Sequence, residues 1–140
     1  MSFNALLIPL FVEVALTFGL GFWAGVLRVQ LVRSGTVQAR DIALGQPGWP
    51  EQATKVINAY HNQLELPFLY YLLIVLVLVV SPATPGMVLL SWLFVISRLF
   101  HALIHVTTNN VSRRFFVFLA GVALLTLMWL IFAATVLFGP

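Results

Sequence analysis

Four long apolar stretches, separated by short polar ones, organise the chain. The first runs from Ala5 to Leu27, is interrupted only by Glu13, and is followed by Arg28 and Arg33. No basic segment precedes it, so it predicts a retained transmembrane helix over 5–33 rather than a cleaved leader. A turn-forming string, Gly45-Gln46-Pro47-Gly48-Trp49-Pro50, leads to a second helix over 53–80, which stops at Ser81-Pro82-Ala83-Thr84-Pro85-Gly86. A third helix over 87–106 is broken by Thr107-Thr108-Asn109-Asn110, and a fourth spans 112–137 with Ser112 as its N-cap. Runs of about 20 residues or more match a hydrocarbon core roughly 30 Å thick. The expected fold is an all-α integral membrane protein, one four-transmembrane-helix bundle over residues 1–140.

Composition turns that expectation into an exclusion. Of the 140 residues 61% are hydrophobic and 8% charged, against about 45–50% and about 25% in soluble domains. So few charges cannot cover such a surface, and the bilayer must serve as solvent. Without cysteine there is no disulfide, cysteine metal site or protein thiol nucleophile, so thiol chemistry has to come from a ligand. The net charge is +3, and six of the seven Lys and Arg side chains lie in two places: Arg28, Arg33, Arg40 and Lys55 around the first connection, and Arg113 and Arg114 around the third. The second connection has no charge. The positive-inside rule therefore puts both basic loops in the cytoplasm, near anionic lipid headgroups, and both termini away from it. No basic face carries an element that could read nucleic acid, so that function class is set aside.

Within the predicted spans, ionisable side chains are costly and normally face a bundle interior. On helix 2, Asn58, Asn62 and Glu65 stand at i, i+4 and i+7, one stripe about 10 Å long. On helix 3, Arg98, His101 and His105 form a second stripe. The two helices are antiparallel, and counting inward from the basic-loop end sets Asn58 level with His105 and Glu65 level with Arg98. A polar seam with a buried Glu65–Arg98 pair at its deep end is expected, serving either as interhelical glue or as a ligand site. Two histidines without a third ligand do not make a metal site. Helix 1 offers Thr17, Gly21 and Gly25 as a packing line, and Glu13 nearer the outer side, either protonated or bonded to another helix. Trp23, Trp49, Trp92 and Trp129 are read as packing or interfacial residues.

The string Asn62-Gln63-Leu64-Glu65-Leu66-Pro67, with Arg98-x-x-His101 on helix 3 and Arg114 opening helix 4, resembles the MAPEG family, the membrane-associated proteins in eicosanoid and glutathione metabolism. It is most similar to the family's uncharacterised bacterial branch, and the likeness covers nearly the whole chain. The resemblance implies a homotrimer in a bacterial inner membrane, with glutathione held between neighbouring subunits near the cytoplasmic face. It assigns Asn62 and Glu65, then Arg98 and His101, to glutathione contacts, and Arg114 to stabilising the thiolate. Arg28 corresponds loosely to a helix 1 arginine. Pro67 frees the Gln63 carbonyl and kinks helix 2 beside the site. Three positions depart from the family pattern: Asn58 stands where an arginine is usual, His105 where a tyrosine is usual, and Phe115 where a serine sometimes stands. An amide at 58 cannot clamp a carboxylate as a bidentate guanidinium does.

Three functions follow as expectations. The first is a glutathione transferase or peroxidase acting on lipophilic small molecules that enter from the bilayer, with Arg114 as the activating residue. Its glutathione contacts would be Asn58, Asn62, Glu65, Arg98, His101, His105 and Arg28. The second is a non-catalytic protein holding a lipid or other amphiphile in the same seam. The third is a structural membrane protein whose polar seam serves only assembly.

Overall fold

The computed structural model describes residues 4–45, 47–80 and 84–139. Gln46 and Ser81-Pro82-Ala83, parts of the two predicted turns, lie outside the described residues. The rest is four long helices: α1 (Asn4–Arg33), α2 (Glu51–Val80), α3 (Pro85–Val106) and α4 (Val111–Phe138), with a short 3₁₀ turn at Ala39–Asp41 between the first two. They contain 30, 30, 22 and 28 residues. At 1.5 Å per residue even the shortest is about 33 Å long, enough to cross the hydrocarbon core. All four are apolar enough for this, and the protein is an integral membrane protein.

Local chemistry sets the helix ends. Gly35, at φ 75°, takes the left-handed conformation in which a chain commonly leaves a helix. Helix α3 starts with Pro85 in its first turn and Thr84 as N-cap, whose Oγ1 accepts from the Met87 amide at 3.2 Å. At α4 the cap differs from the sequence expectation. Asn110, not Ser112, accepts from the Arg113 amide at 3.0 Å, because the chain becomes helical one residue earlier than expected and Ser112 lies inside the first turn.

Packing joins α1 to α2 and α3, α2 to α3 and α4, and α3 to α4. The interior has an apolar layer at each end and a polar one between. Toward the 2–3 connection, Leu6, Tyr70, Leu73, Ile74, Val77, Phe94, Leu125 and Met128 form the larger cluster. Toward the basic loops lie Leu20, Ala59 and Ala102, then Ala24, Ala53, Val56 and Ile57. Between them in sequence, and fully or almost fully buried, fall Glu13, Gln63 and Arg98. The outer surface is apolar too, with Phe18, Phe22 and Phe116 among its largely exposed residues, as expected where lipid tails replace water.

Close approach between helices is concentrated at two glycines. A Cβ on Gly21 would lie 2.8 Å from the Tyr60 ring, so α1 and α2 meet there because the side chain is absent. Gly121 of α4 packs against Ser97 and Arg98 in the same way, a Cβ lying 3.0 Å from Ser97 Oγ. Gly25, the other half of the expected small-residue line, has open space beside it. Thr17 and Gly21 of that line meet α2, and Gly25 does not.

Candidate functional site

The register expected for α2 and α3 is found, but the expected face of α2 is not. Arg98 Nη2 donates to the backbone oxygen of Asn62 at 3.3 Å, and the Asn62 side chain reaches His105 Nε2 at 3.4 Å. Asn62 is therefore the one member of its stripe that meets α3. Asn58 and Glu65 are exposed on the outer side of α2, while Val56, Ala59, Gln63, Pro67 and Tyr70 form its buried face. The expected Glu65–Arg98 pair is not formed: the ion pairs among the described residues are Arg40–Asp41 and Lys55–Glu51. The two charges are level but look in different directions. Near Pro67 the carbonyl used by Arg98 is that of Asn62, the neighbour of the Gln63 carbonyl that proline leaves without an amide partner.

Helix α3 presents its stripe inward as expected, with Arg98, His101 and His105 all buried. The rings of His101 and His105 lie edge to face at 5.8 Å, and His101 also lies 5.9 Å from the Phe118 ring. Helix α4 supplies Arg114, whose Nη1 sits 3.1 Å from His105 Nε2 and also donates to Asn109 Oδ1. Asn109 has φ 48°, a left-handed conformation that asparagine tolerates better than most residues. The tight α3–α4 turn thereby places its side chain on Arg114. A guanidinium has no acceptor, so His105 Nε2 must accept and the imidazole carries its proton on Nδ1. Asn62 Nδ2 also donates to the Asn58 carbonyl, at 2.9 Å, which fixes the orientation of its amide.

These side chains border a cavity of about 230 Å³ lined by Asn62, His101, Val111, Arg114, Phe115 and Phe118. One wall brings a guanidinium, an amide and an imidazole together, and the other is aromatic. The arrangement suits an amphiphile whose polar end meets Arg114. Phe115, noted above as a departure, belongs to the aromatic wall.

Arg28 and Asn58 belong elsewhere. They line a cavity of about 840 Å³ under the 1–2 connection, together with Trp49, Thr54, Ile57 and His61. The Arg28 guanidinium stacks 5.7 Å from the centroid of Trp49, a cation–π contact. A single chain thus distributes the eight expected site residues over two cavities, the buried layer behind them and the outer face of α2. No group of three or more metal-ligating side chains occurs among the described residues.

Three polar side chains that no motif points to, Tyr70, Tyr71 and Ser91, and the Gln63 amide also lie between the helices. Tyr70 and Ser91 join hydroxyl to hydroxyl at 2.5 Å across α2 and α3, and Tyr71 joins Thr17 of α1 at 3.0 Å. Gln63 and Tyr70 stand seven apart, with Pro67 between them, on the inward stripe. That spacing was the available signal.

A model of the MAPEG family matches residues 6–134. No curated protein and no solved structure matches the chain.

Proposed function

The chain belongs to the MAPEG family, and from that premise we propose that it is a membrane glutathione transferase and peroxidase acting on lipophilic electrophiles drawn from the bilayer. The observation that carries this reading is the place of Arg114 in the lining of a cavity with polar and aromatic walls. All of its hydrogen bonds within the described residues run through Nη1, which leaves Nε and Nη2 for a ligand. Beside it a thiol, with an ordinary pKa of about 8.5, is favoured as thiolate. In transfer, the thiolate sulfur attacks the electrophilic carbon, the C–S bond forms as the leaving group departs with its electron pair, and the thiol proton goes to water. In peroxide reduction, two glutathione thiols become a disulfide while the O–O bond is cleaved to an alcohol and water.

The active unit in this reading is a homotrimer in a bacterial inner membrane, with the basic loops cytoplasmic and both termini on the other side. Its support is the outward placement of Glu65 on a membrane-spanning helix. A carboxylate facing lipid is expensive, and a neighbouring copy supplies it with polar company. The cavity at Arg114 is also smaller than the 300–1,000 Å³ usual for a small-molecule site, which fits a site finished by a second subunit.

A second reading, a non-catalytic binder of a lipid or other amphiphile, is favoured by one observation. His105 and Asn109 already engage Arg114, and Asn58 cannot supply the second cation that a tripeptide with two carboxylates calls for. Calorimetry of glutathione with the detergent-solubilised protein separates the two. Binding in the micromolar to low-millimolar range, with turnover of a chloronitroaromatic electrophile that Arg114→Ala lowers far more than it weakens binding, supports the transferase. No heat up to about 10 mM, a free energy weaker than about −2.7 kcal/mol, favours the amphiphile binder.

A further inference from the structure

The inward line of α1 is Leu6, Glu13, Leu20 and Ala24, all buried. Glu13 is 0% exposed, one third of the way along a spanning helix, where an isolated carboxylate has neither water nor headgroups to solvate it. Neither of its oxygens has a hydrogen-bond partner among the described residues. Arg98 of α3 is likewise 0% exposed. Its Nη2 is used on the Asn62 carbonyl, while Nε and Nη1 have no partner. The two groups act on each other electrostatically, Glu13 ahead of Glu65 in its effect on Arg98, yet they are not in direct ion-pair contact.

Tyr71 lies within electrostatic range of both. Its hydroxyl is 3.0 Å from Thr17 Oγ1, and that threonine donates back to the Glu13 carbonyl at 3.0 Å. Gln63, 1% exposed and on the inward stripe of α2, adds an amide with neither atom partnered. Three helices thus direct a carboxylate, a guanidinium and an amide with unused hydrogen-bonding capacity into one polar layer between apolar ones. Buried polar groups left in this way are normally satisfied by internal water, which makes two to four hydrogen bonds and bridges groups that stand too far apart to touch.

We infer that Glu13 is the internal counter-charge of Arg98, and that the two are joined through water bound between α1 and α3. This goes beyond the ligand reading and does not depend on it. It also gives Arg98 its neutralising partner within the chain, so that Glu65 is not needed for that purpose and remains available on the outer face of α2.

The test compares the melting of the full chain in detergent for wild type, Glu13→Gln, Arg98→Gln and the double variant, and adds an experimental structure fine enough to show ordered solvent. Each single substitution should lower the melting temperature by several degrees, because it strands the other charge. The double variant should melt no lower than the worse single, and solvent density should bridge Glu13 to Arg98. Additive losses, or a Glu13→Gln variant that melts like wild type, overturn the pairing. Should a single variant fail to fold, the solvent density decides: a bridge supports the inference, and an apolar contact or an unbridged gap overturns it.

Discussion

His105 Nε2 lies 3.1 Å from Arg114 Nη1, so the imidazole of α3 accepts from the guanidinium of α4. This contact, with the Asn109 carboxamide on the same nitrogen, anchors one arm of Arg114 and orients the remainder. A flexible surface arginine would lose more conformational freedom on meeting a ligand.

The first prediction concerns that orientation. If Arg114 stabilises a thiolate, Arg114→Ala lowers kcat for a model electrophile by about tenfold or more, while KM for glutathione changes by less than about threefold. Steady-state kinetics measure the split. A raised KM with kcat unchanged would make Arg114 a binding residue only.

The spans and the α2–α3 register were legible because they follow from run length and from counting along antiparallel helices. The face of α2 was not. In a soluble protein the apolar side of a helix points inward, but here both sides are apolar and the contrast is weak. The Asn58, Asn62 and Glu65 stripe was therefore assigned to the interior on cost alone, whereas the inner face carries Gln63, Pro67 and Tyr70. The seven-residue spacing of Leu6, Glu13 and Leu20, all buried, is a signal that the expectation for Glu13 did not use. Its proximity to Arg98 depends on how α1 leans on α3, and no local pattern encodes that.

Tyr70 and Ser91 form a polar contact within the larger apolar cluster, and it can be tested. Both are 0% exposed, and their hydroxyls meet each other. Tyr70→Phe should cost about 1–2 kcal/mol by leaving Ser91 without its partner. Tyr70→Phe with Ser91→Ala should recover part of that loss. Thermal melting in detergent reads both, and a double variant that loses the full sum would show that the hydroxyls do not couple.

The two glycines of α1 should respond in opposite ways. Gly21→Ala drives a Cβ into the Tyr60 ring and should destabilise by about 1–3 kcal/mol, as overpacking does, whereas Gly25→Ala meets nothing within 4 Å and should melt at or above the wild-type temperature. Equal behaviour of the two variants would contradict the α1–α2 contact.

Glu65 carries the last prediction. It is exposed on α2 and forms no ion pair among the described residues, so its removal should leave the fold of one subunit intact. Glu65→Leu should keep wild-type helix content by circular dichroism. If a neighbouring copy provides its polar partner, the loss of a buried charged contact costs about 2–5 kcal/mol, and the cross-linked trimer fraction at a fixed concentration in detergent should fall at least about tenfold. In a lone subunit surrounded by apolar tails, the same substitution replaces a poorly solvated carboxylate with leucine and should raise the melting temperature instead. A variant that melts higher and cross-links no differently from wild type would place this face against lipid, and would remove the argument for an intersubunit site.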